Sequence, residues 1–284
     1  MTSRSLVLLA CSIAFATPGC GGGGRTAGAA RPAASPTPTR TPGTAGAGAW
    51  FYRMPVATRY QVTRIDSLTL GTGAGARPQV SDKIAFVTAR SHPPTLTITL
   101  DSIVANAEGR PMEAAMDSVR GLRWEAPAGR QGLSAPLRPS IPTVLAEQLG
   151  AALGLLFAQL PTGGAEVGKG WSDSERVNLR LDAFRATEDA RREVNVTAAS
   201  TAGSPLELMV QADLTRSGVA LVGGQELRMQ GAGRREAHYH LAAGGWPARL
   251  VSRDSLALSV TMPGNTVPVQ WITRIVIEAD APAR

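Results

Sequence analysis

Three residues near the C-terminal end have the types and spacing to hold a metal. Glu236, His238 and His240 sit at alternate positions. In an extended strand, alternate side chains share one face. Two imidazoles and a carboxylate on one face make a plausible divalent-cation set, and a metal-dependent hydrolase would be built on it. The intervening Ala237, Tyr239 and Leu241 would then form the buried face and leave the histidines in water. A solvated histidine needs no ligand, so the pattern fits an ordinary surface strand better.

Other chemistry is thinner. The only cysteines are Cys11 and Cys20, so the chain from Ala49 onward has no thiolate nucleophile, disulfide or thiolate metal ligand. No Gly-x-Ser-x-Gly elbow occurs. Gly168-Lys169-Gly170 and the run Gly21 to Gly24 lack phosphate-loop spacing. His92 stands before Pro93-Pro94, in a loop. Asp-Ser pairs recur, Asp66-Ser67 and Asp254-Ser255 among them. Paired carboxylates serve glycoside hydrolysis, but aspartates at strand edges are more often turn formers or solvated residues. The sequence therefore predicts a non-catalytic protein with no cofactor.

The N-terminus reads as an export signal over residues 1–19. A short basic start, Met1 to Arg4, precedes the apolar run Ser5 to Phe15, which is too short to span a bilayer. Lipidation is expected at Cys20, within Ala16-Thr17-Pro18-Gly19-Cys20. The alternatives are soluble release after Ala14-Phe15-Ala16 and lipidation at Cys11. Residues 20–48 are Gly, Ala, Pro, Thr and Ser with a few Arg, and read as a disordered tether. The expected location is the bacterial envelope, membrane-anchored and facing the periplasm, or soluble in it.

The formal charge of +7 overstates the basic character of the folded part. From Ala49 onward, 25 basic residues face 22 acidic ones, with no basic block and only Lys83 and Lys169 as lysines. No basic stripe with interleaved aromatics exists, so nucleic acid is not an expected partner.

One long helical pattern organises the rest. Ile141 to Leu160 carries Val144, Leu145, Leu149, Ala152, Leu153, Leu156, Phe157 and Leu160 at spacings of three and four. Ser140 or Thr143 can cap its start, and Pro161 with Gly163-Gly164 stops it. Its opposite face holds Gly150, Ala151, Gly154 and Ala158. A helix apolar nearly all round is a buried helix, and the two glycines suggest close approach of another backbone. Glu147-Gln148 interrupts the run a membrane span would need.

Around it the chain reads as about a dozen strands. Thr95 to Val104 alternates most cleanly, with Leu96, Ile98 and Leu100 on one face and threonines on the other. A hairpin is expected around Pro127-Ala128-Gly129. Separate strands are expected over Leu206 to Leu214, Val219 to Val222, Glu226 to Gln230 and Arg235 to Leu241, with Gly231 and Gly233 between the last two. Trp50, Trp124, Trp171, Trp246 and Trp271 are expected in sheet packing. The fold class is mainly β with one central helix (α+β): a curved antiparallel meander or half-barrel wrapped on helix 143–159, within a domain of residues 49–284. Val62 to Leu68 echoes Val251 to Leu256 with one residue inserted, so two related halves, 50–135 and 165–280, are an option beside chance.

Three features carry a family resemblance. They are Ala16-Thr17-Pro18-Gly19-Cys20, the run Leu160-Pro161…Val167-Gly168-x-Gly170-Trp171, and Gly231-x-Gly233…Tyr239-x-Leu241…Gly245…Ser252. The layout resembles exported bacterial lipoproteins of the LolA/LppX-like open-barrel kind, and β-rich lipoproteins built of two halves. The resemblance implies an acyl-chain site in the concave face. Val144, Leu145, Leu149, Gly150, Leu153, Gly154, Leu156 and Phe157 would line it. The expectation is thus an envelope lipoprotein binding a lipid or other apolar ligand between sheet and helix. The alternative is a structural or assembly protein that binds other envelope proteins.

Overall fold

The computed structural model describes residues 49–53, 57–71, 76–181, 183–198 and 206–280. The export signal, Cys20 and the tether lie outside the described residues. In chain order the elements are β1 (Ala57–Leu70), β2 (Pro78–His92), β3 (Thr95–Ala107), β4 (Arg110–Pro111), α1 (Glu113–Asp117), β5 (Arg123–Gly129), β6 (Gly132–Leu133), β7 (Arg138–Pro139), α2 (Val144–Leu155), β8 (Gly170–Leu181), β9 (Phe184–Ala198), β10 (Leu206–Val222), β11 (Gln225–Leu241), β12 (Pro247–Met262) and β13 (Asn265–Ala279).

The strands form one antiparallel sheet, curled as a half-barrel, in the order β6-β5-β3-β2-β1-β13-β12-β11-β10-β9-β8, with β4 on β3 and β7 on β5. The stretches before and after α2 share this sheet because β1 pairs with β13 from Tyr60↔Ala279 to Leu70↔Val269. Alternation fixes the inner face. On β12, Leu250, Ser252, Asp254, Leu256 and Leu258 are buried, while Arg253, Ser255 and Ala257 are exposed.

The expected strand breaks after Leu214 and after Gln230 are absent, while the turn between Val222 and Glu226 stands. β10 and β11 are each continuous and meet at Gly223-Gly224, whose φ values of 59° and 81° suit a two-residue hairpin. Gly231 and Gly233 do not separate strands. A Cβ there would lie 2.2 Å from the Ala257 carbonyl oxygen and 2.0 Å from that of Ser255. Bare backbone at these sites lets β11 bend tightly against β12, as a curling sheet requires. The expected turn at Pro127-Ala128-Gly129 also moves: those residues end β5, and the chain reverses at Arg130-Gln131.

The central helix is shorter than the periodicity predicts, and it is not the only one, since the five-residue α1 precedes it. Thr143 is its cap, with Oγ1 accepting from the Ala146 N–H at 3.2 Å. Its end is set by tertiary contacts before the Pro161 stop is reached. The Ala158 carbonyl accepts the Tyr52 hydroxyl at 3.1 Å, the Leu160 N–H reaches the Gln131 carbonyl at 2.9 Å, and Phe157 packs edge-on to Tyr52. Those partners hold the last apolar residues of the pattern outside the helix.

Gly150 and Gly154 differ. A Cβ on Gly150 would lie 2.8 Å from the Trp124 indole nitrogen, and one on Gly154 would meet nothing within 4 Å. The close neighbour is therefore one indole ring, which donates to the Ala146 carbonyl at 2.9 Å, and the nearest backbone atom at Gly150, the Leu137 carbonyl oxygen, would lie in ordinary contact at 3.8 Å. Trp124, Leu149, Leu153 and Leu156 belong to the main apolar cluster with Tyr60, Ile98, Leu208 and Leu250. A second cluster, around Leu181, Leu214, Met229, Leu256 and Leu258, occupies the other end of the inner face.

Candidate functional site

Between the two apolar clusters the inner face is charged. In register, Ser81, Asp66, Thr273, Asp254, Arg235, Ala212, Arg192 and Asp173 stand side by side across eight strands, β2 to β8 by way of β1 and β13. Arg64 and Lys83 flank this row on one side, and Glu188 and Arg216 on the other. Arg64, Asp66, Lys83, Glu188, Arg216, Arg235 and Asp254 are all buried. Burying an ion costs several kcal/mol unless it is paired and hydrogen-bonded, so the pairing has to be close.

It is close throughout. Arg64 donates from Nε to Asp66 Oδ2 at 2.8 Å and from Nη2 to Oδ1 at 2.9 Å. Lys83 Nζ reaches Asp66 Oδ2 at 3.2 Å, and the Thr273 hydroxyl donates to Oδ1 at 2.9 Å. Burial pushes the Asp66 carboxyl up. The charges of Arg64 and Lys83, with the hydrogen bonds from Arg64 and Thr273, outweigh it and hold the group well below the usual carboxylate range. Arg235 clasps Asp254 at 2.8 and 2.7 Å and reaches Glu188 at 3.1 Å. Burial lowers its guanidinium, but the Asp254 hydrogen bonds and the Asp254 and Glu188 charges hold it above its ordinary value. Glu188 also pairs with Arg216, which lies 5.1 Å above the Trp271 ring. At the β8 end, Arg192 donates to Asp173 at 2.6 and 2.9 Å and to Glu175 at 2.6 Å.

This band was missed in the sequence, and the expectation that such aspartates are solvated was wrong for Asp66 and Asp254. The signal was present. Tyr60, Val62, Arg64, Asp66 and Leu68 share one parity of an alternating strand, as do Leu250, Ser252, Asp254, Leu256 and Leu258. A charge on the apolar parity is a buried charge. The echo between Val62–Leu68 and Val251–Leu256 places both aspartates next to Thr273, one on each side. As chemistry the Glu188, Arg216, Arg235 and Asp254 part of the band is neutralised, while Arg64 and Lys83 both turn to the one carboxylate of Asp66. Asp66 is fully ionised and satisfied, which leaves it no proton to give.

The predicted sites fare differently. Glu236, His238 and His240 do share the outer face, with Ala237, Tyr239 and Leu241 buried as expected. Glu236 and His238 are exposed, and His240 Nδ1 lies 3.3 Å from Glu207 Oε1 on β10. Among the described residues no group of three or more His, Cys, Asp or Glu is disposed to hold a metal. Most of the α2 residues predicted to line a groove are packed. Leu145, Leu149, Gly150, Leu153, Leu156 and Phe157 are buried against strands, and only Val144 and Gly154 are part-exposed. Two surface depressions lie away from these residues, one by Phe51, Pro127 and Leu133 and one by Arg185, Val219 and Arg228.

No family model matches this chain, and no curated protein sequence matches it. Among solved structures it is similar to the crystal structure of Neisserial surface protein A, at 8% identity over 78% of this chain and 97% of that one, with a TM-score of 0.23.

Proposed function

We propose that this is a non-catalytic protein of the bacterial cell envelope that acts through its outer surface on other envelope proteins. The observation that carries the reading is the filled inner face. Helix α2 and its apolar cluster occupy one end, the paired charges the middle, and the second apolar cluster the other end. An acyl-chain carrier needs open apolar volume where this chain has packed side chains.

The outer face supports the same reading. Glu207, Gln211, Asp213, Arg234, Glu236 and Arg253 occupy outward positions on β10, β11 and β12. A lipid-facing barrel wall carries an apolar band there. No helix among the described residues is long and apolar enough to cross a membrane. Attachment through Cys20 remains part of the proposal. Three exposed apolar residues, Val219, Leu221 and Val222, sit near the β10–β11 hairpin tip, with Leu221 75% and Val219 51% exposed, while Leu70, Val80, Val104, Ile141, Val167 and Met209 are exposed elsewhere.

The test is native mass spectrometry of the full chain with solvent extraction, joined to photo-cross-linking from Leu221 in intact cells. The expected result is discrete protein adducts and a protein free of non-covalently held lipid, the anchor at Cys20 being covalent. A lipid at unit stoichiometry would overturn the reading and point back to the α2 face.

A further inference from the structure

We propose that Arg64 and Lys83 form a binding site for one carboxylate anion on the inner wall of the sheet. Arg64 and Lys83 side chains are 9% and 5% exposed, and both turn to the single carboxylate of Asp66. Among the described residues, the neighbouring acids are otherwise engaged: Glu147 faces Arg180 at 3.7 Å, and Asp254 is clasped by Arg235. Two buried cations therefore share one anion.

Donors also outnumber acceptors. Asp66 receives Arg64 Nε and Nη2, Lys83 Nζ, Thr273 Oγ1 and, at 3.4 Å, Trp271 Nε1. A carboxylate offers about four lone-pair sites. Arg64 spends a third N–H on the Gln148 carbonyl at 3.2 Å, and Lys83 a weak one on Ser81 at 3.4 Å. An ammonium has three donors and a guanidinium five, so N–H groups remain on both cations. A water molecule would accept from them but leave the charge. A carboxylate supplies acceptors and charge together.

An approach exists along the inner side of β2. Exposure rises from buried Lys83 through half-buried Ser81 to exposed Gln79. On the facing part of β1, Leu68 and Leu70 become increasingly exposed in the same direction. The site thus suits a small free carboxylate, because the inner face, packed among the described residues, leaves no open volume for a long chain. The inference does not depend on what the outer surface binds.

Calorimetric titration of the full chain in a low-chloride zwitterionic buffer tests it, with acetate and dodecanoate as probes. One saturable site is expected. Acetate should bind at least as tightly as dodecanoate, and tighter binding of dodecanoate would overturn the assignment to a free anion. At a hundredfold excess over Kd, Tm should rise by about 5–10 °C. Lys83→Met should lose at least about tenfold in affinity, as expected when a charge-assisted contact is removed. Without added anion it should melt at or above the wild-type temperature, because Arg64 and Asp66 then form a neutral pair. No heat and no Tm shift with either probe would overturn the proposal. So would a Lys83→Met protein that melts lower than wild type yet responds to acetate equally, since Lys83 would then only brace Asp66. The wild-type titration decides the matter even if the variant fails to fold.

Discussion

Arg235 and Asp254 face each other in register on β11 and β12 and close a two-pronged pair, Nε to Oδ1 at 2.8 Å and Nη2 to Oδ2 at 2.7 Å, inside the curled sheet. Both are under 9% exposed. The planar guanidinium matches the carboxylate fork, which is why arginine rather than lysine serves here. Breaking one half strands the other in a low-dielectric interior. Asp254→Ala should cost about 3–5 kcal/mol, toward the lower end because Glu188 still faces Arg235. The double variant Arg235→Met with Asp254→Leu should stay within about 2 kcal/mol of wild type. Urea unfolding of the two variants checks this, and equal losses in both would show that the pair is not energetically coupled.

Asp66 sets an acid limit on stability. Its carboxyl is held below the ordinary range in the fold, so the unfolded chain binds a proton more readily. A lowered folded value gives stability that is present above the unfolded value of about 4 and is lost as pH falls through the folded one. Urea midpoints measured from neutral pH downward should therefore fall steeply in the acid range. Asp66→Asn should flatten that limb, and at neutral pH it should cost several kcal/mol, on the order of what an unpaired buried ion costs. An unchanged acid limb in the variant would assign the acid sensitivity to other carboxylates.

The chain has three tyrosines, Tyr52, Tyr60 and Tyr239, and all are buried. Burial raises each phenol, and for Tyr239 the arginine charges of Arg235 and Arg192 pull only part of the way back, leaving it at about 12. A phenol raised in the fold contributes stability fully present below the unfolded value of about 10 and lost as pH climbs above it. Absorbance at the phenolate band should show no ordinary tyrosine titration in the folded protein. Phenolate should appear together with alkaline unfolding, followed by circular dichroism. A separate earlier titration would mean that at least one ring is solvated.

The two glycines of α2 should respond oppositely to alanine. Gly150→Ala drives a methyl into the Trp124 ring and should cost about 1–3 kcal/mol. Gly154→Ala meets open space and should gain up to about 1 kcal/mol from helix propensity. Thermal melts of both variants test the assignment of close packing to the first position alone.

The outer histidines should be dispensable. His238→Ala with His240→Ala should leave metal content and Tm unchanged, because His238 is exposed and His240 contacts Glu207. Elemental analysis and a melt before and after chelation give the readout. A stoichiometric metal lost in the variant would restore the metal reading of Glu236, His238 and His240.

The sequence by itself determined the local period, and with it most of the elements. Thr95 to Leu100 could only be a half-buried strand, and Val144 to Leu153 only a buried helix, because an alternation of two and a spacing of three and four cannot be satisfied by the same backbone. It also determined that Glu236, His238 and His240 share a face. Three things were decided by tertiary structure. The helix ends at Leu155 because Tyr52 and Gln131 take the backbone groups that follow. β11 runs through Gly231 and Gly233 because those glycines let it bend against β12, which no local pattern distinguishes from a turn. The charged band exists because register brings β1, β13, β12 and β11 side by side. Asp66 and Asp254 are 188 positions apart in the chain, and the strand that lies between them comes after both. Charge on an apolar parity announced that something had to neutralise it, and only strand order could say what.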